Sequence, residues 1–157
     1  MRRKHRIQRP LRPDPKFNSL VVAKFVNYLM MGGKKTVARA VFYDAMADVE
    51  AKKKDPIDTF SKALQNITPR MELRSKRVGG ANYQIPYEVA PERGVFLAMK
   101  WLIDASRKKK GMSMAKRLSS EVLDASSEAG EAFRRKQEIH KMADANKAFA
   151  HFGRRRK

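Results

Sequence analysis

The stretch that decides the fold spans residues 71–89 and has the sequence MELRSKRVGGANYQIPYEV. In its second half apolar side chains alternate with polar ones, which is the period of a β-strand with one buried face. That face carries Tyr83, Ile85, Tyr87 and Val89. Gly79-Gly80 separates it from an earlier strand, Met71 to Val78, and paired glycines are typical of tight hairpin turns. Because a lone two-stranded hairpin is marginal in water, this one must rest on helices or on a partner.

Outside this stretch, apolar residues recur at helical spacing in six segments. The predicted helices run from Asn18 or Ser19 to Gly32, from about residue 35 to 53, from Pro56 to Thr68, from Pro91 to about Lys109, from Ser113 to Gly130, and from about Glu131 through Phe149. Asp55 and Ser113 can cap two of them by accepting hydrogen bonds from backbone N–H groups. The side chains expected to face the core include Leu20, Val21, Val37 and Met142.

These elements predict a mainly α fold, a single six-helix domain with a protruding two-stranded β-hairpin and basic extended tails at both ends. We expect a basic extended arm over residues 1–17, a helical domain over residues 18–152 with the hairpin at about 71–89, and a basic tail over residues 153–157. The arm is rich in cations and proline and almost without apolar residues, so it cannot bury itself.

The charge of the chain indicates its partner. Thirty-six Lys and Arg against sixteen Asp and Glu give 157 residues a formal net charge of +20. Solubility needs a net charge of magnitude only about 2–8 on a small domain, and a larger charge opposes compaction unless a polyanion screens it. Basic groups on the arm, the hairpin, the loops and the tail favour a structured RNA held on several sides over the recognition of one groove.

Catalysis and metal binding find no support in the sequence. Cysteine is absent, and His5, His140 and His151 lack the i, i+4 spacing that places two ligands on one helix face. Residues 113–116 match Ser-x-x-Lys without its supporting motifs, and residues 33–36 lack the earlier glycine and the strand of a phosphate-binding loop. We therefore expect a non-enzyme with no cofactor, no metal and no small-molecule substrate. The apolar stretches are too short to span a membrane, which favours an intracellular protein.

Basic clusters mark the expected RNA contacts. The arm contributes Arg2, Arg3, Lys4, Arg6, Arg9 and Arg12. The hairpin contributes Arg74, Lys76 and Arg77, and also Tyr83, whose ring can stack on an unpaired base. The turn between the fourth and fifth helices contributes Arg107, Lys108, Lys109, Lys110, Lys116 and Arg117. A helix dipole accounts for one or two of these cations but not for four in a row. We expect no acidic partners for the hairpin arginines, because Glu72 and Glu88 are too few.

Residues 74–89, RSKRVGGANYQIPYEV, resemble the central motif of the small-subunit ribosomal protein seven family in its bacterial or organellar form. Further matches follow in order along the chain, at Asp14–Phe17, Val22–Asn27, Gly33–Lys35, Trp101–Ile103 and His140–His151. The family often has arginine where this chain has Ala90 and Gly94. Its common Ala-His-Tyr-Arg ending appears here as residues 150–153, AHFG.

The resemblance implies a function that composition could not show. Members of the family bind the 3′ major domain of small-subunit ribosomal RNA, help nucleate assembly of the subunit head and lie near exit-site tRNA and mRNA. Small-subunit ribosomal protein eleven and other head proteins are expected neighbours, and some members repress translation of their own operon. By position, the resemblance adds Lys34 and Lys35 to the arm and hairpin cations as RNA contacts. It places the protein in the small ribosomal subunit, in the cytoplasm or in an organelle.

Two other functions compete with RNA binding in the ribosome as explanations of the basic chain. A basic helical protein that coats or bends DNA would insert an apolar wedge, whereas the hairpin tip here is Gly79-Gly80-Ala81. An RNA-modifying enzyme ranks third because the sequence offers no catalytic motif.

Overall fold

A computed structural model describes residues 10–52 and 54–153 of the chain. The predicted contacts Arg2, Arg3, Lys4, Arg6 and Arg9, and the basic run at 154–157, lie outside the described residues. The chain divides into two compact units, with the boundary between Ala40 and Val41.

The described part of the first unit contains α1 (Leu20–Leu29) and the beginning of α2 (Lys35–Ala51). The second unit contains the rest of α2 and then, in order, α3 (Pro56–Ile67), β1 (Met71–Val78), β2 (Ala81–Glu88), α4 (Pro91–Lys108), α5 (Met114–Ser126), α6 (Gly130–Ala145) and a 3-10 helix (Lys147–Gly153). Within the described residues, the predicted six helices and single hairpin are confirmed.

Side-chain caps explain where three of the helices begin. Asp55 accepts hydrogen bonds from the backbone N–H groups of the first turn of α3, at 2.8 and 2.9 Å. Ser113 caps α5 in the same way, and Ser19, not Asn18, caps α1. Asn18 has a φ of 46°, in the left-handed region, and its backbone N–H donates to the Asp14 carbonyl at 2.8 Å, which closes the turn before the cap.

The hairpin has the predicted strands and turn. Strands β1 and β2 pair antiparallel, with Leu73 opposite Pro86 and Lys76 opposite Tyr83. Gly79 and Gly80 form the turn with φ values of 58° and 91°. Two consecutive positive φ values match the right-handed twist of the strands, and glycine reaches them without steric cost.

Helices support the hairpin, as the marginal stability of two strands requires. Helix α6 packs against β1, and the 3-10 helix packs against β2. Ile85 is fully buried, and the Tyr83 ring lies 5.0 Å from the Phe149 ring between centroids. Behind the hairpin, α3 packs against α4 and α5, and α6 packs against α4 and α5.

The predicted core is correct for most helices but wrong at the ends of α1, α2 and α6. Leu20 and Val21 are exposed, as are Val37 and Met142. The buried side chains in their place are Val22, Val26, Phe42 and Met46. The first turn of α1 is apolar all round, so its own period does not identify the buried face. In α1 the later residues Phe25, Val26 and Leu29 identify the buried face.

Candidate nucleic-acid interface

The distal half of the hairpin presents cations to solvent. Lys76 and Arg77 are exposed on β1, and Gly79, Gly80 and Asn82 are exposed at the tip. Small residues at the tip allow its backbone to approach a surface closely. This placement is the one that the sequence predicted for contacts with a phosphate backbone.

Arg74 has a different environment, and the expectation that hairpin arginines lack acidic partners is wrong for it. The Arg74 guanidinium forms an ion pair with the carboxylate of Glu72, a residue that is only 8% exposed. Arg74 Nε lies 2.6 Å from Glu72 Oε1. Arg93 Nε donates to Glu72 Oε2 at 3.2 Å. Burial favours a higher pKa for Glu72, but the hydrogen bonds and charges of the two arginines hold it below its usual value. Local sequence could not reveal Arg93, which lies 21 residues away.

The two hairpin tyrosines are half-buried. Tyr83, the predicted stacking residue, contacts Phe149 of the 3-10 helix. Tyr87 lies near the hairpin root, where the Arg74 guanidinium sits 5.1 Å above its ring centroid, a cation–π contact. Base stacking by Tyr83 stays a prediction.

The cations between α4 and α5 divide into exposed and internal groups. Arg107, Lys108, Lys110 and Lys116 are exposed. Lys109 Nζ instead lies 2.8 Å from Glu121 Oε2 and 3.1 Å from Asp124 Oδ2. Arg117 donates to the backbone carbonyl of Lys109 at 2.7 Å, so it closes the C-terminal end of α4.

Glu121 explains the position of Lys109. Its side chain is completely buried, and its Oε1 accepts a hydrogen bond from the backbone N–H of Ala132 at 2.9 Å, at the start of α6. Burial alone would lower the pKa of Lys109, but hydrogen bonds to Glu121 and Asp124 raise it above its usual value. Lys109 therefore pairs with a buried carboxylate, a role that its place in a run of four cations did not indicate.

A hydrogen-bond network fixes the hairpin root. The backbone N–H of Arg70 donates to His140 Nε2 at 3.1 Å, and Lys136 Nζ donates to the carbonyl of Asn66 at 2.6 Å. The Asn66 side chain donates in turn to the carbonyl of Ala125, at 3.0 Å. Burial lowers the pKa of Lys136, and the nearby Arg70 charge lowers it further. Helix α6 therefore holds the end of α3 and the start of β1 together.

A groove of about 640 Å³ runs between the hairpin root, α4 and α6. Its lining includes four cations, Arg93, Lys100, Lys108 and Arg135, together with Glu72, Glu131 and Glu138. The Arg135 guanidinium lies 5.8 Å from the centroid of the Trp101 ring. The predicted RNA contacts omitted Arg93 and Lys100. The spacing of positions 93, 100 and 108 places Arg93 and Lys100 on one side of a helix with Lys108, and this pattern could have identified them in the sequence.

The remaining predicted contacts within the described residues are exposed. Arg12, Lys34 and Lys35 present their side chains to solvent in the first unit. No group of three His, Asp or Glu side chains in residues 10–52 and 54–153 is placed to hold a metal ion. In the same residues no helix combines the length and the apolar surface that crossing a bilayer requires.

Comparison with known proteins identifies the family. The family described as ribosomal protein S7p/S5e matches residues 1–147. The chain belongs to this family. It is 51% identical to small ribosomal subunit protein uS7 of Allorhizobium ampelinum over 154 residues, which cover 97% of this chain and 99% of that protein. The uS7 protein of Flavobacterium psychrophilum is also 51% identical, over 156 residues with the same coverage. That of Marinobacter nauticus is 50% identical over 152 residues, 96% of this chain and 97% of that protein.

Membership settles the general function. The S7p/S5e family is a family of structural proteins of the small ribosomal subunit, not of enzymes. This confirms two expectations from the sequence, that the chain is a structural protein of the small subunit and that it is not an enzyme. The bacterial relatives also confirm the resemblance that the motif around Gly79-Gly80 indicated.

Proposed function

We propose that this chain is a primary RNA-binding protein of the small subunit. It binds the 3′ major domain of the small-subunit ribosomal RNA, nucleates assembly of the subunit head, and lies beside exit-site tRNA and mRNA. Contacts with small-subunit ribosomal protein eleven and other head proteins, and repression of its own operon by the free protein, belong to the same proposal.

The net charge of +20 on a folded scaffold carries the proposal. Exposed cations occur on several different elements, so that they suit an RNA held at several points. They include Lys34, Lys35, Lys76, Arg77, Lys108, Lys110 and Lys116. Within the second unit, the buried core fixes the spacing of its exposed cations in advance, which reduces the entropy lost on binding.

The hairpin favours RNA over DNA bending as the target. Its tip is formed by exposed small residues, Gly79, Gly80 and Ala81, which offer no apolar wedge to insert between base steps. Its cations lie on β1, where they can follow a phosphate backbone. This distribution suits close approach to the surface of a folded RNA.

Crosslinking in cells tests the proposal. Ultraviolet crosslinking of the intact chain, followed by sequencing of the attached nucleic acid, should recover the 3′ major domain of the small-subunit RNA. Crosslinks from the hairpin should recover tRNA and mRNA in addition. Recovery of DNA, or of ribosomal RNA from other domains at equal frequency, would contradict it.

A further inference from the structure

Glu72 is a buried carboxylate directly beneath two exposed arginines. Glu72 as a whole residue is 8% exposed, while the side chains of Arg74 and Arg93 are 61% and 48% exposed. One oxygen of Glu72 accepts from Arg74 and the other accepts from Arg93. Arg74 comes from the same strand, and Arg93 comes from the first turn of α4. Two distant parts of the chain therefore bring their guanidinium groups to one carboxylate.

Aromatic rings hold both guanidinium groups from a second side. Arg74 lies 5.1 Å from the Tyr87 ring centroid, and Arg93 lies 5.0 Å from that of Phe96. Each arginine is thus fixed by a carboxylate oxygen and by a ring, which removes much of the rotamer freedom of a long side chain. A guanidinium has five N–H donors, and Glu72 occupies the Nε and one Nη of Arg74 and the Nε of Arg93.

The charges of this group do not cancel. One carboxylate and two guanidinium groups together carry a formal charge of +1, and Glu72 and Arg93 of this group also line the groove. Planar guanidinium groups match the oxygens of a phosphate, and two of them held side by side can bind one phosphate from two directions.

We propose that Glu72 is a positioning residue that holds Arg74 and Arg93 together as one binding site for a single RNA backbone phosphate. The inference rests on the proposed RNA-binding function and names a site within it. Glu72 repels phosphate as a charge but favours its binding by fixing the two donors that contact it.

These two effects have opposite signs, so a charge-neutralising substitution separates them. Glu72→Gln raises the formal net charge by one. If charge alone determined affinity, this variant would bind RNA more tightly than the wild type. If Glu72 positions the arginines, the variant binds more weakly in spite of its added positive charge.

Glu88→Gln is the matched control. Glu88 is an exposed carboxylate on the opposite strand of the same hairpin, paired in register with Met71. Its substitution changes the net charge by the same amount and leaves Glu72 in place.

The experiment measures binding of the full chain to a transcript of the 3′ major domain of a bacterial small-subunit RNA over a series of salt concentrations. Glu72→Gln should weaken binding about tenfold, the loss expected for one charge-assisted hydrogen bond. It should also reduce the slope of log affinity against log salt by about one phosphate contact. Glu88→Gln should bind as tightly as the wild type or slightly more tightly. Equal or tighter binding by Glu72→Gln would overturn the inference.

A second substitution covers the case in which Glu72→Gln lowers the melting temperature enough to unfold the protein. Arg93→Lys keeps both Glu72 and the charge but loses the planar fork, so it should weaken binding several-fold. Arg134→Lys is its control, because Arg134 is an exposed arginine on α6 that pairs with Glu131. Unchanged binding by Arg93→Lys would overturn the inference. Failure of the wild-type chain to bind the transcript would instead contradict the proposed function itself.

Discussion

His140 Nε2 accepts a hydrogen bond of 3.1 Å from the backbone N–H of Arg70, which joins α6 to the residue before β1. A protonated imidazole has no acceptor nitrogen, so this contact requires the neutral ring. Burial lowers the pKa of His140 below its ordinary value of 6.5, and the Lys136 and Arg70 charges lower it further, while Asp144 opposes them. The support of the hairpin therefore depends on a titratable group.

The first prediction concerns stability against pH. Because the pKa of His140 is lower in the folded chain than in the unfolded chain, the unfolded chain binds more protons between these two values. The contribution of His140 is fully present above about pH 6.5 and is lost as the pH falls through the folded pKa. Urea unfolding from pH 8 to 5 should show this loss in the wild type but not in His140→Gln.

The second prediction concerns Lys109. Lys109→Ala leaves the fully buried Glu121 without its cation and should reduce the free energy of unfolding by roughly 2–3 kcal/mol. This loss is below the value for a fully buried pair because the Lys109 side chain is 28% exposed. Lys110→Ala removes the same charge from an exposed neighbour and should change stability by less than about 0.5 kcal/mol. Equal effects in chemical denaturation would show that Glu121 does not depend on Lys109.

The third prediction concerns the hairpin cations that remain exposed. Lys76→Ala with Arg77→Ala should change the melting temperature little, because exposed substitutions usually cost less than about 0.5 kcal/mol. The same double variant should weaken binding to 3′ major domain RNA and lower its salt slope by about 1.5. Lys52→Ala with Lys54→Ala removes the same charge from the exposed connection between α2 and α3. A similar loss of affinity in this control would mean that net charge matters and the hairpin does not.

The fourth prediction concerns the basic arm. Removal of residues 1–12 takes away six cations, so RNA affinity should fall and the salt slope should decrease by up to about 4–5. The helical core should stay folded, because the cut lies before Asp14, a buried residue whose Oδ2 accepts from the backbone N–H groups of Lys16 and Phe17. Glutamine at the same six positions in the full-length chain should weaken binding equally. A large fall in melting temperature after truncation would show that the arm packs on the folded chain.

Local patterns were sufficient to predict the elements of this fold. The Gly79-Gly80 turn, the alternation after it and the caps at Asp55 and Ser113 depend on neighbouring residues, so each could be recognised in a short window. The partner of an ionic side chain could not be recognised in this way. Arg93 reaches Glu72 across 21 residues, because the fold places the first turn of α4 within side-chain reach of the hairpin root.

The same limit applies to the run Arg107–Lys110. Its four cations look equivalent in the sequence, yet Lys109 turns inward to Glu121 while Lys110 is exposed. The difference arises from the position of α5 and the beginning of α6, which bury Glu121. Long-range packing therefore decided which cations of the candidate interface face solvent.

Selective binding to the 3′ major domain of small-subunit ribosomal RNA is tested most directly by a filter-binding titration of the full chain. The probe is a transcript of that domain, and the competitors are a transcript of the 5′ domain of the same RNA and a DNA duplex of equal length. The 3′ major domain should bind most tightly, and with roughly 6–10 phosphate contacts its affinity should fall about 10³–10⁵-fold between 50 and 200 mM salt. Equal affinity for all three nucleic acids, or an affinity that hardly changes with salt, would contradict the proposed function.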